Sequence, residues 1–187
     1  MDDSALAARA AAGDHGAFEE LLKRHGGRVL AVATRIAGER SRGEDFCQEV
    51  FLHLLRVLPR FDPSRPFQPW LMRVTTNVCR NRVRALRRRP AVSLDAVREA
   101  AGEIPSAAPD PAALAEAADL GARVRRERDA LSPAYREVLA LRYEAGLSLD
   151  RIAEILGGVP LGTVKNRLFR ARAALAQRLQ DIGEENR

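Results

Sequence analysis

Between Pro63 and Leu94 the sequence places eight arginines, at positions 65, 73, 80, 82, 84, 87, 88 and 89, and no acidic residue. Phe61 and Phe67 stand at the head of that run, in a proline-rich stretch. Arginines interleaved with aromatic rings suit single-stranded nucleic acid, because guanidinium groups follow phosphates while rings stack on bases. A second acid-free run lies between Glu154 and Asp181 and contains Lys165, Asn166, Phe169 and Arg170. Those types suit a major groove: arginine and lysine donate to guanine or phosphate, asparagine pairs with adenine, and an aromatic ring meets a thymine methyl. A third cluster, Glu44, Asp45, Gln48 and Glu49, is acidic and polar. Acids at a helix start favour its dipole. They also make a docking face for a basic protein, and residue type alone leaves both readings open. Other chemistries lack their parts: there is no phosphate-binding Gly-Lys loop, no plausible pair of catalytic carboxylates and no metal-ligand cluster. Neither catalysis nor a bound cofactor or metal is expected.

These residues need helices to present them. Apolar residues recur at helical spacing throughout, and strand-like alternation is absent. Asp14 is placed to cap a helix carrying Phe18, Leu21, Val29, Val32 and Ile36 and ending near Gly38. A second helix is predicted from about Glu44, with Phe46, Val50, Leu54, Leu55 and Leu58 ahead of Pro59. Arg60 to Pro69 reads as a loop, and a third helix follows with Trp70, Leu71, Val74, Val78 and Val83 on its apolar face. That assignment puts Trp70 in the core and leaves Phe67 open. Phe61 is free either to meet a base or to plug the end of the preceding helix.

Pro90 to Ala118 differs in kind: prolines 90, 105, 109 and 111 interrupt it, and acids far outnumber its one arginine, Arg98. It reads as a flexible acidic linker. The expected architecture is all-α: a helical domain over residues 1–90, a linker over 91–118 and a helical domain over 119–187. In the last, a helix spans about Asp119 to Ala130, Ser132-Pro133 opens another that Gly146 stops, and Ser148 caps a short one through Leu156. After Gly157-Gly158-Val159-Pro160 a basic helix runs from Leu161 to about Gln180, giving a helix-turn-helix. Its stripe of Leu161, Val164, Leu168, Ala171, Leu175 and Leu179 must face the core, which turns Asn166 and Phe169 outward, flanked by Lys165 and Arg170.

The bulk properties agree with an acidic partner. The 187 residues carry a formal charge of +6, and nucleic acid is the commonest partner of so basic a chain. No apolar run is long enough to cross a bilayer, and the acidic start lacks a signal-peptide n-region, so a cytoplasmic location is expected. Cys47 and Cys79 stand alone and far apart, as semi-buried helix residues rather than a disulfide or zinc framework.

The segments EDFCQEVFLHLL (44–55) and PFQPWLMRVTTNVCRNRVR (66–84), followed by LSPAYREVLALRYEAGLSLDRIAEIL (131–156) and GTVKNRLFRARAAL (162–175), resemble the two domains of the extracytoplasmic-function sigma factors. The resemblance covers most of both domains, in order, around a divergent linker. It implies a transcription initiation factor that binds core RNA polymerase, directs it to promoters and helps melt the −10 element, without being an enzyme. Asp45, Gln48 and Glu49 then match the polymerase-docking surface. Phe61 and Asn77, with Arg73, Arg80 and Arg84, match the −10 surface, and Lys165, Asn166, Phe169 and Arg170 match the −35 reading face. Promoter DNA, core polymerase and an anti-sigma factor are the implied partners. In one respect the sequence departs from the family's L-G-x-P turn, since Leu156-Gly157-Gly158-Val159-Pro160 carries an extra residue. A helix-turn-helix regulator acting without polymerase is the alternative, and it leaves the basic N-terminal helix and the acidic face without a use.

Overall fold

The computed structural model describes residues 2–88, 127 and 130–185, and all regular structure among them is helical. The expected linker, residues 91–118, lies outside the described residues, as does the helix expected from Asp119, apart from Glu127 and Ala130. Helix α1 spans Asp3–Ala11 and was not apparent from the sequence; it buries Leu6 and Ala7. Asp14 caps α2, His15–Ala37, by accepting from the Ala17 amide at 3.0 Å. Gly38 ends that helix with φ of 81°, a left-handed conformation that glycine adopts without strain. Between these ends Leu21, His25, Val29, Val32 and Ile36 form one buried stripe.

Helix α3, Arg40–Val57, begins four residues before the expected Glu44 and closes in a 3-10 turn, Leu58–Arg60. Its early start brings Gly43 against α2, where an added Cβ would lie 2.5 Å from the Thr34 Cα. The loop that follows is pinned by Asp62, whose side chain accepts from the Ser64 amide at 3.0 Å and the Ser64 hydroxyl at 2.7 Å. Helix α4, Phe67–Arg88, buries Leu71, Met72, Thr75, Thr76, Val78 and Cys79. The two threonine hydroxyls donate back to the Leu71 and Met72 carbonyls at 2.9 and 2.8 Å, so neither is left unsatisfied.

In the C-terminal half, the Ser132 side chain accepts from the Tyr135 amide and Pro133 fills the first position of α5, Pro133–Leu139. The helix widens into a π turn, Ala140–Glu144, before Gly146 reverses the chain at φ of 68°. Ser148 caps α6, Leu149–Ile155. Gly157 and Gly158 are both left-handed, at φ of 99° and 76°, and α7 then runs over Leu161–Glu185. The extra residue of this turn is therefore a second glycine in a conformation other residues resist.

The two halves pack together. Helix α5 and its π turn lie against α2, and α6 lies against α4, so buried side chains form one cluster from Leu6 to Ala171. Among the described residues no helix is long and apolar enough to cross a membrane.

Candidate nucleic-acid and docking surfaces

On α7 the buried line Val164, Leu168 and Ala171 turns one side of the helix to α5 and α6. The other side presents Lys165, Asn166, Phe169 and Arg170, all exposed. Phe169 is 73% exposed. Leu161, expected in the stripe, is also exposed. Arg178 reaches back to Glu127 at 2.9 Å, which gives it an intramolecular partner. Arg172 lies over the half-exposed Tyr143 ring, 5.5 Å from its centroid, and so ties the helix to the π turn.

Helix α4 carries the second basic face. Positions 73, 77, 80 and 84 recur at helical spacing along about 16 Å of the axis. Arg73, Asn77 and Arg84 are exposed. Arg80 is not: it is drawn in by Glu137 of α5, with its Nε 2.6 Å from the carboxylate Oε1. Arg82 points elsewhere and pairs with Glu49 of α3.

The loop aromatics divide differently from the sequence expectation. Phe61 is buried, 5.4 Å from Phe67 and 5.0 Å from Trp70 between ring centroids. Phe67 is buried too and meets the edge of His25 at 5.4 Å. As it stands, the Phe61 ring has no free face for a base. Trp70, placed in the core from its spacing, is only partly buried and lines an open pocket of about 320 Å³ with Arg65 and Arg73. Position on the apolar stripe gave no signal of this, because the pocket lies where the loop, the first turns of α4 and Arg151, Glu154 and Ile155 of α6 come together. Asn77 lies two turns beyond, roughly 10 Å along the axis, so it and Phe61 do not meet around one cavity.

Asp45 and Gln48 are exposed on α3, and Glu49 is held half-exposed by Arg82. Together they border an open groove of about 660 Å³ between α3 and α4. Its apolar floor includes Leu52 and Leu86, which are 61% and 44% exposed; Leu55, expected in the core, is 51% exposed. Leu52 was missed in the sequence, although it falls off the buried Phe46–Val50–Leu54 line, and that displacement is the signal that could have found it. Arg42, Arg56 and Arg82 line the groove along with Asp45 and Glu49, so exposed leucines lie among charges of both signs, a combination suited to an amphipathic protein surface.

The thiols take no part in these surfaces. Burial pushes Cys79 up to about 12 and raises Cys47, which leaves both protonated and weakly nucleophilic.

Comparison with known proteins gives a consistent result. Residues 21–89 match the family model of sigma-70 region 2, and residues 122–175 match that of sigma-70, region 4. The chain is 34% identical over 178 residues to the ECF RNA polymerase sigma factor SigE of Mycolicibacterium smegmatis, covering 94% of this chain and 67% of the relative. It is 32% identical over 178 residues to the ECF RNA polymerase sigma factor SigW of Bacillus subtilis, covering 91% and 92%. A solved structure of CnrH, a sigma factor of Cupriavidus metallidurans, in complex with the cytosolic domain of CnrY has a TM-score of 0.66 at 29% identity, covering 97% of this chain and 99% of that one.

Proposed function

The chain belongs to the extracytoplasmic-function sigma factors, and from that premise we propose how its surfaces divide the work of starting transcription. Residues 1–90 dock on core RNA polymerase and open the −10 element, residues 91–118 connect, and residues 119–187 read the −35 element. The observation that carries this is the placement of two separate basic surfaces and one leucine-bearing groove, edged by Asp45, Gln48 and Glu49, on a single helical chain. A regulator working by itself needs only one of the three.

In this scheme Asp45, Gln48 and Glu49, with Leu52, hold a basic helical surface of the polymerase. Lys165, Asn166, Phe169 and Arg170 enter the major groove at the −35 element, with α7 anchored from behind by Val164, Leu168 and Ala171. Arg73 and Arg84 follow the −10 strand, Asn77 offers donors and acceptors to an unstacked base, and Arg80 joins them once released from Glu137. Phe61 acts from beneath, as the support that sets the loop, while Trp70 is the ring nearest the open pocket. Binding energy does the work and no covalent bond is broken, so the chain is a factor rather than an enzyme. Association with polymerase and promoter places it in the cytoplasm. By analogy with CnrH, which is solved bound to a protein segment, an anti-sigma factor is the expected antagonist.

The docking assignment is tested by titrating labelled protein with core polymerase. Asp45→Lys with Glu49→Lys should weaken binding by tenfold or more while helicity is unchanged, since reversing charges at a complementary interface introduces repulsion. Unaltered affinity would remove α3 from the docking surface.

A further inference from the structure

Helix α1 lies against both ends of the loop that joins α3 to α4. It touches the 3-10 turn Leu58–Arg60, which leads into the loop, and α4, which leads out of it. Hydrogen bonds made within the loop are short-range: Asp62 accepts from Ser64, and the Arg65 amide donates to the Asp62 carbonyl at 3.0 Å. Such bonds fix the shape of a turn and leave its place on the molecule to contacts from elsewhere. Ser4, in the first turn of α1, supplies one of these, its hydroxyl donating to the Arg65 carbonyl at 3.0 Å. A single bond at a partly exposed position adds little to the stability of the fold. What it sets is where the loop stands.

A second contact runs beneath the loop. His25 of α2 is 4% exposed, and its Nδ1 meets no hydrogen-bond partner among the described residues. An imidazole whose Nδ1 has nothing to donate to holds its proton on Nε2, and Nε2 lies 2.8 Å from the Asp3 carboxylate of α1. Arg24 holds the other oxygen of that carboxylate at 2.9 Å, so the ring cannot turn without giving up its bond to α1. The His25 ring packs on Phe67, Phe67 on Phe61, and Phe61 on Trp70, at 5.4, 5.4 and 5.0 Å between centroids. The position of α1 is thereby carried through four rings to Trp70, which borders the open pocket with Ser64 and Arg65 of the loop.

We propose that α1 braces the −10 loop, with Ser4 and His25 as positioning residues for promoter melting. Ser4 acts through the Arg65 carbonyl, and His25, oriented by Asp3, acts through Phe67. Neither touches the strand. Their effect falls on the step that opens the duplex and not on the first encounter with it. This rests on the reading of the loop and α4 as the −10 surface.

The test uses the full-length protein with core polymerase on a promoter chosen by run-off transcription. Open-complex formation, followed by permanganate reactivity at several holoenzyme concentrations, separates closed-complex affinity from the isomerisation rate. Trp70 is the only tryptophan of the chain, so acrylamide quenching of its fluorescence in the free protein reports the loop. Ser4→Ala should slow isomerisation about fivefold, the worth of one hydrogen bond. Closed-complex affinity and the thermal melt should be unchanged, and Trp70 should be more readily quenched. Ser4→Thr returns the hydroxyl and should restore both the rate and the quenching. His25→Phe keeps a ring beside Phe67 and drops the Asp3 contact, and it should show the same slowing and the same quenching. A parent-like isomerisation rate in Ser4→Ala overturns the brace. So does a slowing with unaltered quenching, with an equal loss of closed-complex affinity, or with no repair by Ser4→Thr. A parent-like His25→Phe overturns the path through the rings. Arg73→Gln combined with Arg84→Gln separates the proposal from its premise. Undiminished opening in that variant overturns the −10 reading and the brace with it, whereas lost opening there beside a parent-like Ser4→Ala overturns the brace alone.

Discussion

The family resemblance placed Phe61 and Asn77 together on the −10 surface, and the structure gives them unequal positions. Phe61 is wedged between Phe67 and Trp70, while Asn77 stands in solvent. Phe61→Ala should therefore cost about 3–5 kcal/mol of stability, as removal of a buried phenyl ring does, and its effect on promoter opening will follow from a disordered loop. Asn77→Ala should leave the thermal melt unchanged and still reduce permanganate reactivity of the −10 region. Equal melts for the two variants would contradict this division. On α7, Asn166→Ala or Arg170→Ala should relax discrimination at particular −35 bases by about 1–3 kcal/mol. Arg178→Ala should leave base preference untouched, since Arg178 is spoken for by Glu127. Binding to single-base −35 variants at fixed salt measures this. A base preference unaltered by the first two substitutions would place the reading face elsewhere, with the second turn glycine, Gly158, the natural cause of a rotated helix.

Helix ends and helix crossings set what these residues can reach. Gly43 lets α3 cross α2 with no space for a side chain, so Gly43→Ala should destabilise the protein by about 1–3 kcal/mol through forced separation of the two helices. Chemical denaturation measures it; an unchanged midpoint would mean the crossing is loose. Helix α1 is held by a charge cluster: Asp3 accepts from Arg24 at 2.9 Å and lies 2.8 Å from His25 Nε2. Burial works to raise the Asp3 carboxyl, but the contacts with Arg24 and His25 outweigh it and hold it below the ordinary carboxylate range. A carboxylate lowered in the folded state stabilises above its ordinary value, and that contribution disappears as pH falls through the lowered one. Protection of the α1 amides, corrected for intrinsic exchange, should accordingly fall as pH drops from about 5 to below about 4, and Asp3→Asn should abolish the change. The capped helices were legible because their signals are local: Asp14 and Gly38 bracket α2, and Ser132-Pro133 and Ser148 open α5 and α6. Helix α1 was not, for Leu6 is the only large aliphatic side chain among alanines and charges in Asp3–Ala11, too little for a periodic pattern. The π turn and the four extra residues at the start of α3 depend on what α2 offers them, which no local pattern encodes.

At the scale of the whole molecule, the sequence separated basic from acidic segments correctly and said nothing of how the halves meet. Arg80 read as one more cation of the −10 surface, and Glu137 drew no reading. Their pairing joins residues far apart in the chain, and only the packing of α5 on α2 brings it about. The same limit explains Leu52, whose exposure reflects a groove built by two helices. What unites the proposed roles is their dependence on one partner: with α3 assigned to docking and α4 and α7 to DNA, none completes initiation without polymerase. Run-off transcription tests that dependence most directly, with core polymerase, the purified chain and a library of candidate promoters. The account predicts discrete transcripts only when chain and core are both present, lost with Asp45→Lys and Glu49→Lys, and a −35 preference that shifts with Asn166→Ala. Tight, sequence-specific binding of the chain alone to promoter duplex, with no transcript at any promoter when core is added, would contradict it.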